Sequence, residues 1–390
     1  MTNPAPPFDK ENVPSVSTGI DVLVRDHFRL LDGAKIGLVT NHTGLTRDGL
    51  ATADVLHQAA GVDLRALFGP EHGIRGEVDE AVPDGRDAQT GLPVFSLYGQ
   101  RREPTEEQVS GLDTLVYDIQ DVGCRYYTYL STLGHLLVAA AKYKKRVVVL
   151  DRPNPITGAS VEGPLADETR LSFTAFHPIP VRHGMTLGEM ALLLNAERNL
   201  KVNLVVVKCE GWKRTDWWDA TGLPWVNPSP NMRSLAQATL YPGVGLLEFT
   251  NLSVGRGTDT PFEILGAPWM DGRALAYALN ARSLPGVRFI PVRFKPSASK
   301  FANETCGGVN LLVTDRTKFL PVRTGVEIAL ALRALYLEEW QASKYITLLA
   351  NRTAMDGVLA GDDYPSLQKR WAADLKSYTQ ARNQFFLYNS

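Results

Sequence analysis

Residues 67–76 read LFGPEHGIRG, and the way this stretch breaks off decides the fold. The apolar run Leu64, Ala66, Leu67 and Phe68 stops at Gly69-Pro70, and Glu71 and His72 follow at once. Gly73 and Gly76 allow a tight turn on either side of Arg75. A carboxylate, an imidazole and a guanidinium therefore leave the carboxyl end of a buried strand, where open α/β sheets carry their chemistry. Taken alone, the motif serves equally well as a salt-bridged turn. Other strands of the chain end the same way, and that favours a site.

Working outward, residues 35–41 (KIGLVTN) form a buried strand that opens into NHTGLTRDG. A helix is expected before it, running from a Ser17-Thr18 cap to Gly33, and another over 51–60. Residues 92–98 read as a short strand, Pro104 starts a brief glutamate-rich helix, and 114–118 (TLVYD) form a strand leading into IQDVGCRYYTY. A long apolar helix over 128–143 returns the chain to the strand 146–151 (RVVVLD), which ends in RPNP, where prolines block a helix. A helix over 186–199 and a strand over 204–208 complete the series. Alternating strands and helices mean parallel βαβ units with strands apolar on both faces. Four of these strands end in polar residues: Asn41 and His42, Glu71 and His72, Asp118 and Asp121, Asp151 and Asn154. In a parallel sheet those ends share one edge, so their loops converge on one crevice.

The texture changes after Trp212. Trp212, Trp217, Trp218 and Trp225 cluster in loop-like sequence, and residues 241–262 are dense in Gly, Asn, Ser and Thr around Glu248 and Arg256. The chain thus divides into a leader (1–16), a catalytic parallel-sheet domain (17–257) and a smaller α+β domain (258–390). Strands are expected in the last part over 287–294 and 309–314, and helices over 325–340 and 362–382.

A formal charge of −1 gives no electrostatic reason to bind nucleic acid or an anionic membrane. No apolar run is long enough for a membrane span. Cys124, Cys209 and Cys306 lie too far apart for a CxxC knuckle. The leader lacks a charged-then-apolar signal pattern, so the chain reads as cytoplasmic, or as periplasmic or secreted if an export signal has been removed. Oligomeric state is not legible. The first βα turn is TNHTGLT rather than GxGxxG, VGRGTDT (254–260) is a lone GxG, and no HExxH spacing occurs. No metal, nucleotide or other cofactor is therefore expected. Ser297-Ala298-Ser299-Lys300 matches SxxK, but neither SDN nor KTG accompanies it.

The carboxylates fit glycosidic cleavage better. That reaction needs an acid to protonate the leaving oxygen and negative or nucleophilic help at the anomeric carbon. Glu71, between an apolar strand and a glycine turn, suits the first part. Asp118 and Asp121, three apart on one loop, suit the second, although helix capping also explains Asp121. Tryptophans beside Asn227 and Asn231 suit the apolar face and hydroxyl rim of a sugar. Arg75, Arg152, Arg182 and Arg256 are candidates to clamp a substrate carboxylate. His183, in VRHGMT ahead of a helix, is the histidine best placed for function.

Together VTNHTG (39–44), FGPEHGIRG (68–76), YDIQDVGCRYYTY (117–129), DRPNP (151–155), EGP (162–164), RHGMTLGE (182–189), PSPNM (228–232) and EFTNLSVGRGTDTPFE (248–263) resemble the NamZ-type exo-β-N-acetylmuramidases, peptidoglycan glycosidases of bacteria. The resemblance implies a Rossmann-like N-terminal domain with its active site in a cleft against the smaller domain, and release of N-acetylmuramic acid from the non-reducing end of peptidoglycan fragments. It also implies that the sugar's 2-acetamido oxygen attacks the anomeric carbon, with Glu71 as general acid/base. Asp118 or Asp121 would then orient the acetamide. The motif residues Asn41, His72, Arg75, Asp151, Asn154, Glu162, His183, Asn227, Asn231, Glu248, Asn251 and Arg256 form the candidate binding set. The alternative is a non-catalytic muropeptide-binding or sensing protein that uses the same cleft.

Overall fold

The structure is a computed structural model and describes residues 16–71, 73–75, 83–99 and 101–389. Helix α1 (Gly19–Arg25) starts at Thr18, whose hydroxyl and N–H both donate to Asp21 at 2.8 Å. It ends well short of Gly33, because His27 and Phe28 turn into left-handed conformations and the chain re-enters as a 3-10 turn that buries Leu31. Then follow β1 (Lys35–Thr40), α2 (Thr52–Gln58), β2 (Asp63–Gly69), β3 (Gly85–Arg86), β4 (Pro93–Ser96) and α3 (Glu106–Val109). Next come β5 (Thr114–Asp118), α4 (Thr128–Tyr143), β6 (Arg146–Leu150), the hairpin β7 (Glu162–Leu165) and β8 (Pro180–Arg182), α5 (Leu187–Glu197) and β9 (Leu204–Val207). The main sheet has the order β3-β4-β2-β1-β5-β6-β9, parallel throughout except for the short edge strand β3. It is the parallel α/β sheet read from the apolar runs, and its order reverses between β1 and β5.

The smaller part begins with α6 (Leu235–Val244), then β10 (Ile264–Ala267), α7 (Gly272–Ala281), β11 (Val287–Phe294) and β12 (Cys306–Val313). The last three strands form an antiparallel sheet, β10-β12-β11. β12 starts three residues before its expected position. Gly307 and Gly308 hide its start in the sequence, yet a Cβ there would lie 2.2 Å from the Met270 carbonyl and 2.0 Å from that of Leu265. Helices α8 (Pro321–Leu335), α9 (Ile346–Leu349), α10 (Arg352–Ala360) and α11 (Tyr364–Ala381) complete the chain. α8 begins four residues earlier than expected, with Pro321 in the first turn where its missing N–H costs nothing. α6 and α8 approach closely: a Cβ on Gly325 would sit 2.3 Å from the Gly243 carbonyl. One continuous apolar core runs from β5 and α4 into α6 and α8, so the two parts are joined by packed interior.

Much of the polar sequence at the strand ends builds the sheet edge itself. Asp118 is fully buried and takes Arg152 in a bidentate pair, Nε to Oδ1 at 2.5 Å and Nη2 to Oδ2 at 2.9 Å. Thr52 donates to Oδ2 as well, at 2.5 Å. Asp151, also fully buried, accepts from the Thr186 hydroxyl (2.6 Å), the Gly188 N–H (2.8 Å) and the Tyr388 hydroxyl (2.5 Å). It thereby ties β6 to the start of α5 and to the C-terminal end of the chain.

Arg152→Met should leave the Asp118 charge uncompensated and cost about 3–5 kcal/mol in denaturant unfolding. Removing the exposed Arg25–Glu210 pair by Arg25→Ala should leave the unfolding curve almost unchanged, because solvent screens the pair. A second expectation concerns Asp151, whose carboxyl is pushed up to about 6 by burial, against the pull of its three donors. Its folded-state value lies above the roughly 3.9 of an unfolded Asp, so folding favours the protonated form. Its contribution to stability is full below about pH 4 and is lost as pH rises through 6. The stability difference between wild type and Asp151→Asn should therefore move by roughly 3 kcal/mol against wild type across that window, a pH series of unfolding curves being the check.

Candidate active site

β2 stops because Gly69-Pro70 cannot continue it. The Gly73 N–H closes the turn onto the Pro70 carbonyl at 3.1 Å, with Gly73 at φ 69°. A Cβ at Gly69 would come within 3.3 Å of the Gly73 Cα, a tight contact that the turn would have to relieve by a few tenths of an ångström. Arg75 fastens its far side. The guanidinium donates to Asp87 through Nε (3.0 Å) and Nη2 (2.8 Å), and through Nη2 to Asp54 at 2.9 Å. Burial opposes ionisation of Asp87, yet hydrogen bonds from Arg75 and Thr90 prevail and hold its carboxyl at about 2. The loop that carries Glu71 is thus latched to α2 and to the segment after β3.

Glu71 lies half-buried on a cleft that encloses about 1070 Å³ of space open to solvent. The Thr128 hydroxyl, in the first turn of α4, donates to its Oε2 at 2.8 Å. Tyr127 and Tyr129 line the cleft beside it, their rings packed edge-on at 4.9 Å, and Tyr241 meets Tyr127 at 5.8 Å and 88°. Burial above all, with the neighbouring Tyr241, Asp121 and Glu71 groups, pushes the Tyr127 phenol well above its ordinary value and keeps it a donor. The opposite wall comes from the smaller part: Glu248, half-exposed Phe249, Arg256 and Phe262. Arg256 Nη1 holds Glu248 Oε1 at 2.6 Å. The Lys300 ammonium donates to the carbonyls of Glu248 and Thr250, and Ser297 donates to Gly257 O at 2.8 Å. The SxxK residues therefore brace the Glu248 turn.

Of the residues singled out in the sequence, Glu71, Asn231, Glu248 and Arg256 meet in this cleft. Asp118 and Asp151 do not line it; they are sealed in the sheet edge as described. Asp121 is also buried, its Oδ2 taking the Gly123 N–H at 2.7 Å. His183 stands behind it: Nδ1 accepts the Met185 N–H (3.3 Å), which leaves the proton on Nε2, 3.6 Å from Asp121 Oδ2. Asn41 and Asn154 are buried turn-formers, accepting from Thr43 and Ile156. Glu162 takes Arg182 at 2.9 Å and the Val322 N–H at the start of α8 at 3.2 Å, while burial pushes its carboxyl up. Asn251 bonds Glu339 O and Gln341 N, both at 2.7 Å, and the Asn227 carbonyl accepts from His42 at 2.7 Å. Arg75 is the latch already described, and His72 lies outside the described residues.

The structure adds Tyr98, Arg102, Tyr127, Thr128, Phe173 and Phe249 to the cleft. Tyr127 and Thr128 belong to the RYYTY run, read above as the entrance to a helix and as part of a family motif but not as site residues. Arg102 and Phe173 come from segments with no periodicity or motif, so no sequence signal marked them.

The chain matches the description "Exo-beta-N-acetylmuramidase NamZ, N-terminal" over residues 36–236 and "Exo-beta-N-acetylmuramidase NamZ, C-terminal" over 239–388. It is 40% identical over 380 residues to the peptidoglycan beta-N-acetylmuramidase NamZ of Bacillus subtilis, covering 96% of this chain and 92% of that protein. Two DUF1343 family crystal structures from Bacteroides fragilis share its fold, and each comparison covers 96% of this chain and 99% of the other. One is 37% identical with a TM-score of 0.90, the second 29% identical with 0.79.

Proposed function

The chain belongs to the NamZ family of exo-β-N-acetylmuramidases and is a glycoside hydrolase; from that premise we propose that it releases N-acetylmuramic acid from the non-reducing end of peptidoglycan fragments, with Glu71 as general acid/base. The observation that carries the assignment to Glu71 is its position. It is the carboxyl that leaves the end of β2 into the cleft, held by Thr128 through one oxygen. That single bond fixes the rotamer and leaves Oε1 to meet the glycosidic oxygen.

In the first step the substrate's 2-acetamido oxygen attacks the anomeric carbon while the C–O bond to the leaving sugar breaks. Glu71 gives its proton to the departing oxygen, since an alkoxide leaves poorly at neutral pH. A water then opens the cyclic intermediate, and the Glu71 carboxylate takes the proton back. The nucleophile is intramolecular, so the protein is relieved of supplying one. The acetamide still has to be oriented. The sequence assigned that part to Asp118 or Asp121; among the described residues the second carboxylate facing the cleft is Glu248, fixed by Arg256, and we assign it the acetamide N–H. Tyr127, kept protonated, serves as a hydroxyl donor beside Glu71. Phe249, half-exposed at the rim, suits the apolar face of the ring.

Glu71→Gln should lower kcat on a chromogenic β-N-acetylmuraminide by about 10²–10⁴-fold with an unchanged unfolding curve. A wild-type rate in that variant removes Glu71 from the mechanism. If wild-type protein binds the disaccharide tightly and releases no product, the sensing alternative replaces the enzymatic one. Thr128→Val should cost roughly tenfold in kcat with little change in KM, because it frees the rotamer of the acid without removing it.

A further inference from the structure

Among the described residues, one cation on the cleft, Arg102, has no carboxylate counterpart. Four lining residues are ionisable acids or guanidinium bases: Glu71, Glu248, Arg102 and Arg256. Arg256 and Glu248 neutralise each other at 2.6 Å. Glu71 carries a proton when it acts as the acid. Arg102 has no carboxylate within ion-pair distance among the described residues; its guanidinium carbon sits over the Phe173 ring, 4.4 Å from the centroid. Phe173 is itself fixed between Tyr98, with ring centroids at 5.9 Å, and His135, at 6.0 Å. A guanidinium stacked on an aromatic face is oriented in advance, and its edge N–H groups remain available for a planar, two-oxygen partner. Arg102 is thus placed to meet a negatively charged group on a ligand in the cleft.

N-Acetylmuramic acid differs from N-acetylglucosamine by one feature, a lactyl ether that bears a carboxylate. We propose that Arg102 is a specificity-determining residue that binds this lactyl carboxylate from its perch on Phe173. The assignment rests on the muramidase reading above and names the group that selects the sugar. Arg102 takes the part for which the sequence offered Arg75, Arg152, Arg182 and Arg256: the first three are engaged by Asp87, Asp118 and Glu162, and Arg256 holds Glu248.

The test pairs enzyme variants with a substrate variant. A chromogenic β-N-acetylmuraminide and its lactyl methyl ester, which has the same shape without the charge, are compared on wild type, Arg102→Met, Arg102→Lys and Arg256→Lys. Wild type should prefer the acid by roughly tenfold in kcat/KM, chiefly through KM. Arg102→Met should lose that preference and hydrolyse the ester at close to the wild-type rate for the ester. Arg102→Lys, which keeps the charge and loses the fork, should fall between. Unfolding curves should superimpose, since Arg102 is exposed. Undiminished preference for the acid in Arg102→Met overturns the proposal, and so does a preference lost only in Arg256→Lys. Absence of hydrolysis of either substrate by wild type sinks the muramidase reading itself, and is distinguishable from both.

Discussion

The buried pair between Asp118 and Arg152 decides where this molecule can work. A doubly wound sheet offers its crevice where the strand order reverses, here between the ends of β1 and β5. Arg152 leaves β6, crosses the end of β5, binds both oxygens of Asp118 and reaches on to the Leu45 carbonyl at 2.8 Å. Thr52 adds a hydroxyl from α2. The position at which related architectures seat a dinucleotide is thus crossed by the protein's own charge pair. Such a pair adds little net stability over a well-packed apolar pair, but losing one member is expensive, so it fixes the edge rigidly. The open space lies to one side, past the end of β2 and against α6 and the turn after it.

That displacement gives the smaller part its role. The glycine contact between α6 and α8 and the continuous core hold it against the sheet. Glu162 joins β7 and β8 to the first N–H groups of α8, and Lys300 caps the carbonyls at the Glu248 turn. One wall of the cleft then comes from βα turns and the other from the second part, each braced by buried polar contacts. A site held within a fraction of an ångström needs such support behind the groups that touch substrate.

The strands and their direction were legible because a parallel sheet covered on both faces demands nearly unbroken apolar runs, and RVVVL or TLVY can do little else. The polar residues closing each run were legible as a set, yet their direction was not. Asp118 is the last residue of its strand and stays in the pleat, where a neighbouring arginine meets it. Glu71 comes two residues after its strand has broken at Gly69-Pro70, and the turn swings it into the cleft. Identical chemistry on paper becomes a structural tie in one case and a half-buried acid on the cleft in the other. α6 escaped the sequence reading because Pro242 and Gly243 interrupt its last turn. The aromatic and cationic wall of Tyr98, Arg102 and Phe173 comes from separate loops brought together by tertiary packing.

A sheet of this kind is an unusual base for glycosidic cleavage, which commonly uses two carboxyls at a controlled separation. The requirement relaxes if the substrate brings its own nucleophile. The protein then has to supply one proton donor aimed at the leaving oxygen, a partner to hold the acetamide, and walls that fix the ring. A single strand end can present the donor, provided a tight glycine turn directs it and a helix-borne hydroxyl fixes its rotamer, as Gly69, Gly73 and Thr128 do for Glu71. The remaining demands would fall on groups that a βα edge does not provide; Glu248, Arg256 and Phe249 of the second part, which line the cleft, are the residues proposed above for them. Division of the chemistry between a strand end and a docked neighbour is therefore what lets a closed switch point coexist with an open cleft.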